Sequence, residues 1–461
     1  MLKKFNYFRD PVRIGALLGE KNASSFALMR VELNERASLD EIHTIRQERL
    51  NRLLVHASRN VPFYAHHYAQ RDVPRMSSHS IHPLEWIPVV TKQDLRTAFP
   101  HSCFATNIDP VRRRLGTTSG STGEPFRYAH DRAYDSEKQI LARRVWRWAH
   151  ADVFAPKIYC STESARHLWP HMIFLHPHFI QSRIDQYARI IKNSGAQLLF
   201  GYPLTTFELF WTLSEHNVSD LTFTTAILTG HGVSSGIRTF FLRKFACQVF
   251  EYYAAMELGI IAVECEAHQG LHLQEENMVV EIIDAAGKPC SPGTVGQILV
   301  TSLSNDVMPF IRYAIGDTGF FLGGSCPCGR TSRRVLIEGR SNEHLFIAPN
   351  QESIYPGILR DVLDDYFNHF QRYQLVQTDL KHFVLKIVPT PSCNTYVIKE
   401  VVRKIKTIIQ GECHVDAVLV DDIPALPSGK FQYFISSLWP KKFSPGMLDI
   451  QTLEKRRINY V

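Results

Sequence analysis

Residues 196–257 read AQLLFGYPLTTFELFWTLSEHNVSDLTFTTAILTGHGVSSGIRTFFLRKFACQVFEYYAAME. Three apolar runs stand out in this stretch: AQLLFGYP (196–203), FTTAILTGHG (223–232) and CQVFEYYA (247–254). Between them, 204–217 and 234–245 carry helical patterns. Short apolar runs bounded by Gly and Pro predict buried strands, and their alternation with helices predicts an α/β core with substantial parallel sheet. The pattern extends back to a helix near 182–194 and forward to strands MVVEIID (278–284) and GQILVTSL (296–303). Upstream, 39–58 places Ile42, Ile45, Leu50, Leu53, Leu54 and Val55 close to a 3.6-residue period, and Asp131–His150 does the same with Ile140, Leu141, Val145, Trp146 and Trp148. Near Gly339-Arg340 the pattern restarts as strand YQLVQT, strand HFVLKIVP, helix TYVIKEVVRKIKTIIQ and strand HVDAVLVDD. The expected fold class is α/β: a large N-terminal α/β domain over 1–340, with a helical region over 1–110, and a small C-terminal α+β domain over 341–461.

Composition bounds the function. The 461 residues include 52 Lys plus Arg and 45 Asp plus Glu, a net charge of +7; 44% are hydrophobic and 21% charged. Those proportions exclude a disordered or fibrous chain. No apolar run approaches the roughly 18 residues of a membrane span. The start, MLKKFNYFRDPVRIGALLGEK, is interrupted by Arg9, Asp10 and Arg13, so it holds no signal-peptide core, and a cytoplasmic protein is expected. The basic runs Arg112–Arg114 and Lys455–Arg457 read as solvated segments, so no nucleic-acid partner is expected. Nine cysteines, an odd number, argue against a disulfide framework.

Five motifs carry chemistry. Thr117 to Pro125, TTSGSTGEP, is dense in glycine and hydroxyl residues, which suits a loop that wraps phosphates, although a flexible turn would look the same. Glu257 follows the strand CQVFE, where a single carboxylate is placed to bind a phosphate-bridging Mg²⁺ or simply to be exposed. In RYAIGD (312–317), Asp317 follows what reads as a tight Gly turn; its two acceptors match a pair of ribose hydroxyls or a turn cap. EGRSN (338–342) marks the domain junction, and LPSGK (426–430) sets Lys430 on a Gly turn.

In this order and spacing, TSGSTGEP, YYAAME, RYAIGD, EGR and PSGK resemble the adenylate-forming superfamily of acyl-CoA synthetases. Residues 47–94 (QERLNRLLVHASRNVPFYAHHY…WIPVVTKQDLR), FGYP (200–203) and AVEC…GLHLQEENMVVEIID (262–284) are similar to its phenylacetate–CoA ligase and CapK-type branch. The resemblance implies an adenylation domain followed by a mobile lid. It implies that Thr118, Ser119, Gly120, Ser121, Thr122 and Gly123 embrace ATP phosphates, that Tyr253 lies beside adenine and substrate, and that Glu257 binds Mg²⁺. It places Asp317 on the ribose with Arg340 nearby, and Lys430 between substrate carboxylate and α-phosphate, where cations offset the repulsion of two anions. Tyr202, Gly230, His231, Tyr252, Ala254 and Met256 fall at substrate-pocket positions, and Asn342 at the hinge.

Ala254, Met256, His231 and Asn342 depart from the superfamily pattern, the last by replacing the usual hinge Asp. A further set, Cys265, Cys326 and Cys328 with a histidine, is sufficient for a closed tetrahedral zinc site. Relatives in this branch carry a similar set, which selects His272 over His268. The function implied is ATP- and Mg²⁺-dependent activation of a carboxylic acid, an aryl acid by default, with transfer to coenzyme A. Rival readings are transfer to an amine, a hydroxyl or a carrier protein, and a weakened, non-catalytic binding subunit.

Overall fold

The computed structural model describes residues 34–438, apart from 75, 78–82, 119–125, 161–170, 177–182, 217, 219–220, 231, 234, 341–345, 351–352, 355–358, 361, 364, 367 and 424–432. The first predicted helix runs Leu39–Asn60 (α1). Ser38 starts it through a capping box: its hydroxyl accepts the Glu41 N–H while the Glu41 carboxylate accepts from the Ser38 backbone. The buried stripe Leu50, Leu53, Leu54 and Ala57 packs with α2 (Pro62–Ala69) into the larger hydrophobic core. A two-residue strand, β1 (Val90–Thr91), leads into α3 (Lys92–Ala98), which has its own capping box from Thr91 and Asp94. The phosphate-loop candidate is flanked by a hairpin of β2 (Arg114–Thr118) and β3 (Phe126–His130). The second predicted helix is α4 (Arg132–Trp148), N-capped by Asp131.

The predicted alternation follows. β4 (Lys157–Cys160), β5 (Met172–Leu175), α5 (Ile184–Ser194), β6 (Leu198–Gly201), α6 (Pro203–Glu215), β7 (Thr225–Thr229), α7 (Ser235–Phe245) and β8 (Gln248–Ala255) build a parallel half-sheet in the order β5-β4-β6-β7-β8. Beyond β8 the sheet turns antiparallel through β9 (Gly259–Glu264), β10 (Leu271–Leu273), β11 (Met278–Ile283), β12 (Gly296–Ser302), β13 (Tyr313–Leu322) and β14 (Arg334–Arg340). The order there is β8-β9-β10-β14-β13-β12-β11, and β1 pairs with β13. The parallel reading therefore holds for five strands only. The β8–β9 connection is a tight hairpin, which needs no crossover helix and so reverses strand direction.

Asp317 is also corrected. It lies inside β13, not after a turn; Gly316, at φ +92°, takes the irregular backbone within a strand paired on both sides.

The small unit contains β15 (Phe346–Ile347), β16 (Ser353–Ile354), β17 (Phe370–Gln377), β18 (His382–Pro389), α8 (Thr395–Ile409), β19 (His414–Leu419) and β20 (Phe434–Ser436). Its sheet order is β19-β18-β17-β20. Phe346, Leu375, Phe383, Leu385, Val401, Ile405 and Phe434 belong to its separate core. Arg372 on β17 reaches Glu208 on α6 at 3.0 Å, an ion pair between the small unit and the large sheet. Among the described residues no helix is long and apolar enough to cross a membrane.

Candidate functional site

The site is built where the turn of the β8–β9 hairpin faces β13. Glu257 sits in that turn, 2% exposed. The Tyr313 hydroxyl donates to its Oε1 at 3.0 Å, and Lys92 Nζ lies 3.6 Å from the same oxygen. Along the hairpin, the Tyr253 hydroxyl donates to Asp317 Oδ2 at 2.5 Å. Tyr313 and Asp317 are four residues apart on β13 and share a face, with a register shift against β12 that brings them closer than an unbroken strand would. Motifs far apart in the chain are thereby joined: β13 supplies Tyr313 and Asp317, and the hairpin supplies Glu257 and Tyr253. Arg340 is the register partner of Asp317 on β14.

Lys92 was not singled out from the sequence, although it stands in the quoted segment WIPVVTKQDLR. Its ammonium lies 5.3 Å from the centre of the Phe126 ring, at the exit of the phosphate-loop hairpin. It therefore bridges that hairpin and Glu257. At the other end of the loop, Thr118 Oγ1 is buried and has no hydrogen-bond partner among the described residues. A desolvated hydroxyl left unpaired carries a cost, which an anionic ligand would remove. Ser119, Gly120, Ser121, Thr122, Gly123, His231, Asn342 and Lys430 lie outside the described residues.

The proposed substrate-pocket residues separate by strand alternation. Tyr252 and Ala254 face away from Tyr253, into an aromatic cluster in which Phe200 stacks on Tyr252 at 6.3 Å and on Trp146 at 5.5 Å. Tyr202, at the start of α6, lays its ring against Gly230; a Cβ there would come within 2.5 Å of Tyr202 Cδ1, and φ is +99°. Met256 projects from the hairpin turn and is 60% exposed.

The sulfur cluster is fully formed. Donor atoms of Cys265, His272, Cys326 and Cys328 all lie within 4.8 Å of one another. Cys265 Sγ and Cys326 Sγ are 3.7 Å apart, and Cys328 Sγ is 3.3 Å from His272 Nε2. A tetrahedral zinc with ordinary bond lengths separates two thiolates by about 3.8 Å and a thiolate from an imidazole nitrogen by about 3.6 Å. His272 Nδ1 is taken by Ser332, whose carbonyl and hydroxyl oxygens are both at 3.1 Å, and this turns Nε2 toward the thiols.

Burial lowers the His272 imidazole to about 4, keeping it neutral. Burial also pushes the Cys265 thiol up to about 12, with the neighbouring Cys326 and Cys328 thiols adding to the rise. For Cys328, burial works upward, but the backbone N–H and side chain of Arg330 outweigh it and hold the thiol below its usual range. Arg330 is itself stacked 4.1 Å over Trp148 and paired with Glu266. Three thiolates, one neutral imidazole and a divalent cation would sum to −1, with the Arg330–Glu266 ion pair beside them. His268 is excluded from the cluster and instead pairs with Glu264 at 3.0 Å.

Residues 346–437 match the CapK C-terminal domain family model. The chain is 25% identical over 354 residues to a phenylacetate-coenzyme A ligase of Thermus thermophilus, covering 73% of this chain and 78% of that protein. It is 24% identical over 426 residues to a phenylacetate-coenzyme A ligase of Escherichia coli, covering 85% and 94%. A crystal structure of 2-hydroxyisobutyryl-CoA ligase in the postadenylation state superimposes with a TM-score of 0.74 at 18% identity, over 92% of this chain and 94% of that one.

Proposed function

We propose that this chain, an AMP-forming acid–CoA ligase of the phenylacetate–CoA ligase and CapK-like branch of the adenylate-forming superfamily, takes an aryl carboxylic acid as its substrate. In the first step a carboxylate oxygen attacks the α-phosphorus of ATP, the bond to the β-phosphate breaks, and pyrophosphate leaves. In the second, the sulfur of coenzyme A attacks the acyl carbonyl and AMP leaves.

The observation that carries this reading is the pairing of Tyr253 with Asp317 and of Tyr313 with Glu257 across one strand face. In this reading Asp317 accepts from the ribose hydroxyls, with Tyr253 fixing its orientation. Thr118 and the loop over 119–123 donate to the phosphates. Glu257 would hold Mg²⁺, which would supply positive charge beside the phosphates. Lys92 adds a second positive charge between the loop and Glu257. Lys430, brought in by the small domain of 341–461, steadies the attacking carboxylate against the α-phosphate. Tyr202, Gly230, His231, Tyr252, Ala254 and Met256 shape the acid pocket. Rotation about Asn342 then admits the thiol.

Cys265, His272, Cys326 and Cys328 hold a structural zinc in the same reading, supported by the donor spacing and the Ser332-oriented imidazole. No ligand position remains open for chemistry. The metal would tie the end of β9, β10 and the β13–β14 loop together. The nine free cysteines fit a reducing, cytoplasmic setting.

The test is pyrophosphate release over a panel of aryl and alkyl acids, with and without coenzyme A, followed by mass analysis of the product. An aryl-CoA thioester is expected. Release with alkyl acids alone overturns the substrate class. An adenylate that ignores coenzyme A and discharges onto an amine or carrier protein overturns the acceptor.

A further inference from the structure

We propose that Lys138 is a positioning residue for Glu257, holding the hairpin turn from which that carboxylate is presented. The proposal rests on the reading of Glu257 as the magnesium ligand. The turn Ala255–Leu258 is closed by one backbone bond, Leu258 N–H to Ala255 O, at 3.1 Å. Met256, at its tip, is largely exposed and packs little against the rest of the protein. A turn carrying a catalytic carboxylate therefore needs support from elsewhere, and α4 provides it. Lys138 Nζ donates to the Met256 carbonyl at 3.0 Å. The Tyr134 hydroxyl lies 3.3 Å from the Glu257 carbonyl and 3.0 Å from the Leu258 carbonyl. The single Tyr134 O–H can serve one of these two carbonyls at a time, so two side chains one helical turn apart on α4 hold the turn through the Met256 carbonyl and one of its two successors.

The Lys138 side chain is itself held on several sides. Its Cγ would lie 2.9 Å from a Cβ at Gly259, so the stem lies against that glycine's backbone; at φ +77°, Gly259 has the conformation and the bare surface this requires. The ammonium sits 5.4 Å from the Tyr134 ring centre and 5.9 Å from that of Tyr128, on β3 beside the phosphate loop. A charged donor on the Met256 carbonyl resists rotation of the Met256–Glu257 peptide, and with it any swing of the Glu257 side chain away from Tyr313 and Lys92. A misplacement of about 1 Å at a reacting centre can cost about 100-fold in rate.

The decisive variant is Lys138→Met, which keeps the stem and removes the ammonium. Binding of a non-hydrolysable ATP analogue is measured by calorimetry with and without Mg²⁺, alongside the Mg²⁺ dependence of pyrophosphate release. For Lys138→Met the metal-free affinity should match wild type, while the tightening given by Mg²⁺ falls about 10-fold and kcat falls about 10- to 100-fold. Lys138→Arg should restore most of both, which a purely structural prop would not require. If Lys138→Met does not fold, Lys138→Gln, a neutral donor of similar length, carries the same readout. Wild-type Mg²⁺ tightening in the lysine variant, with the effect lost in Glu257→Gln, overturns the role of Lys138 alone. Wild-type tightening in Glu257→Gln overturns the reading of Glu257 and the Lys138 proposal with it.

Discussion

Replacing Lys92 with Met tests whether the cation facing Glu257 is part of the machinery or a chance neighbour. The pair is separated by 3.6 Å, with side-chain exposures of 29% for Lys92 and 3% for Glu257. At an effective dielectric near 20, two unit charges at that distance attract by about 4.6 kcal/mol before desolvation. Partial exposure of the lysine and the entropy of fixing it reduce the net coupling to about 1–3 kcal/mol. The variant leaves a buried carboxylate with the Tyr313 hydroxyl and the more distant Lys138 ammonium. Unfolding followed by tryptophan fluorescence should therefore show a loss of about 1–3 kcal/mol, or about 1.5–5 °C in melting temperature for a domain of this size.

A double-mutant cycle with Glu257→Gln isolates the pair, because removing the carboxylate first should make the lysine substitution nearly neutral. Millimolar Mg²⁺ should restore more stability to Lys92→Met than it adds to wild type, since it supplies the missing positive charge. In the reaction, loss of one charge-stabilising group predicts a fall of about 10²–10³ in pyrophosphate release. A coupling below about 0.5 kcal/mol together with an undiminished rate would refute the assignment, since additivity to that level is what independent sites show.

Purification without added metal should yield close to one zinc per chain, and Cys326→Ser should lose both the zinc and several degrees of melting temperature; unchanged melting of wild type in a chelator would sink the site. Lys430→Ala should lower adenylate formation by about 10²–10³ while leaving ATP affinity nearly intact, because the ribose and metal contacts belong to the large domain; isotope exchange between pyrophosphate and ATP reads this directly. Asn342→Pro should preserve adenylate formation and abolish transfer to coenzyme A, because the ring fixes the φ angle that a hinge must change. Normal thioester yield from that variant would move the hinge elsewhere.

What the sequence revealed and what it concealed follow from how each element is stabilised. β6 and β7 are covered on both faces, so each centres on an apolar run that stands out without context. The antiparallel half was harder. β13 contains Gly316-Asp317, a pair that in isolation signals a turn, and only its pairing with β12 and β14 keeps it extended. Reading Asp317 as a turn residue hides its neighbours: Tyr313, on the same strand, stands within the motif, but its contact with Glu257 is made only by the fold. The zinc donors were countable, yet the choice of histidine depended on placement. His272 lies in β10 between β9 and β14, facing the thiols, while His268 sits in the preceding turn at φ +51°. Lys92 and Lys138 mark a different boundary. Their side chains converge on the Glu257 hairpin from α3 and α4, and no local spacing connects either to that glutamate. Motif residues present acceptors and donors to the ligand, so their types are constrained by its chemistry and can be recognised. Residues that place those groups are constrained by the fold, and any side chain of the right length and charge, arriving from any helix, can serve. Met256 shows the consequence: its carbonyl, at the exposed tip of the turn, is reached by Lys138 from α4, a residue more than a hundred positions earlier in the chain.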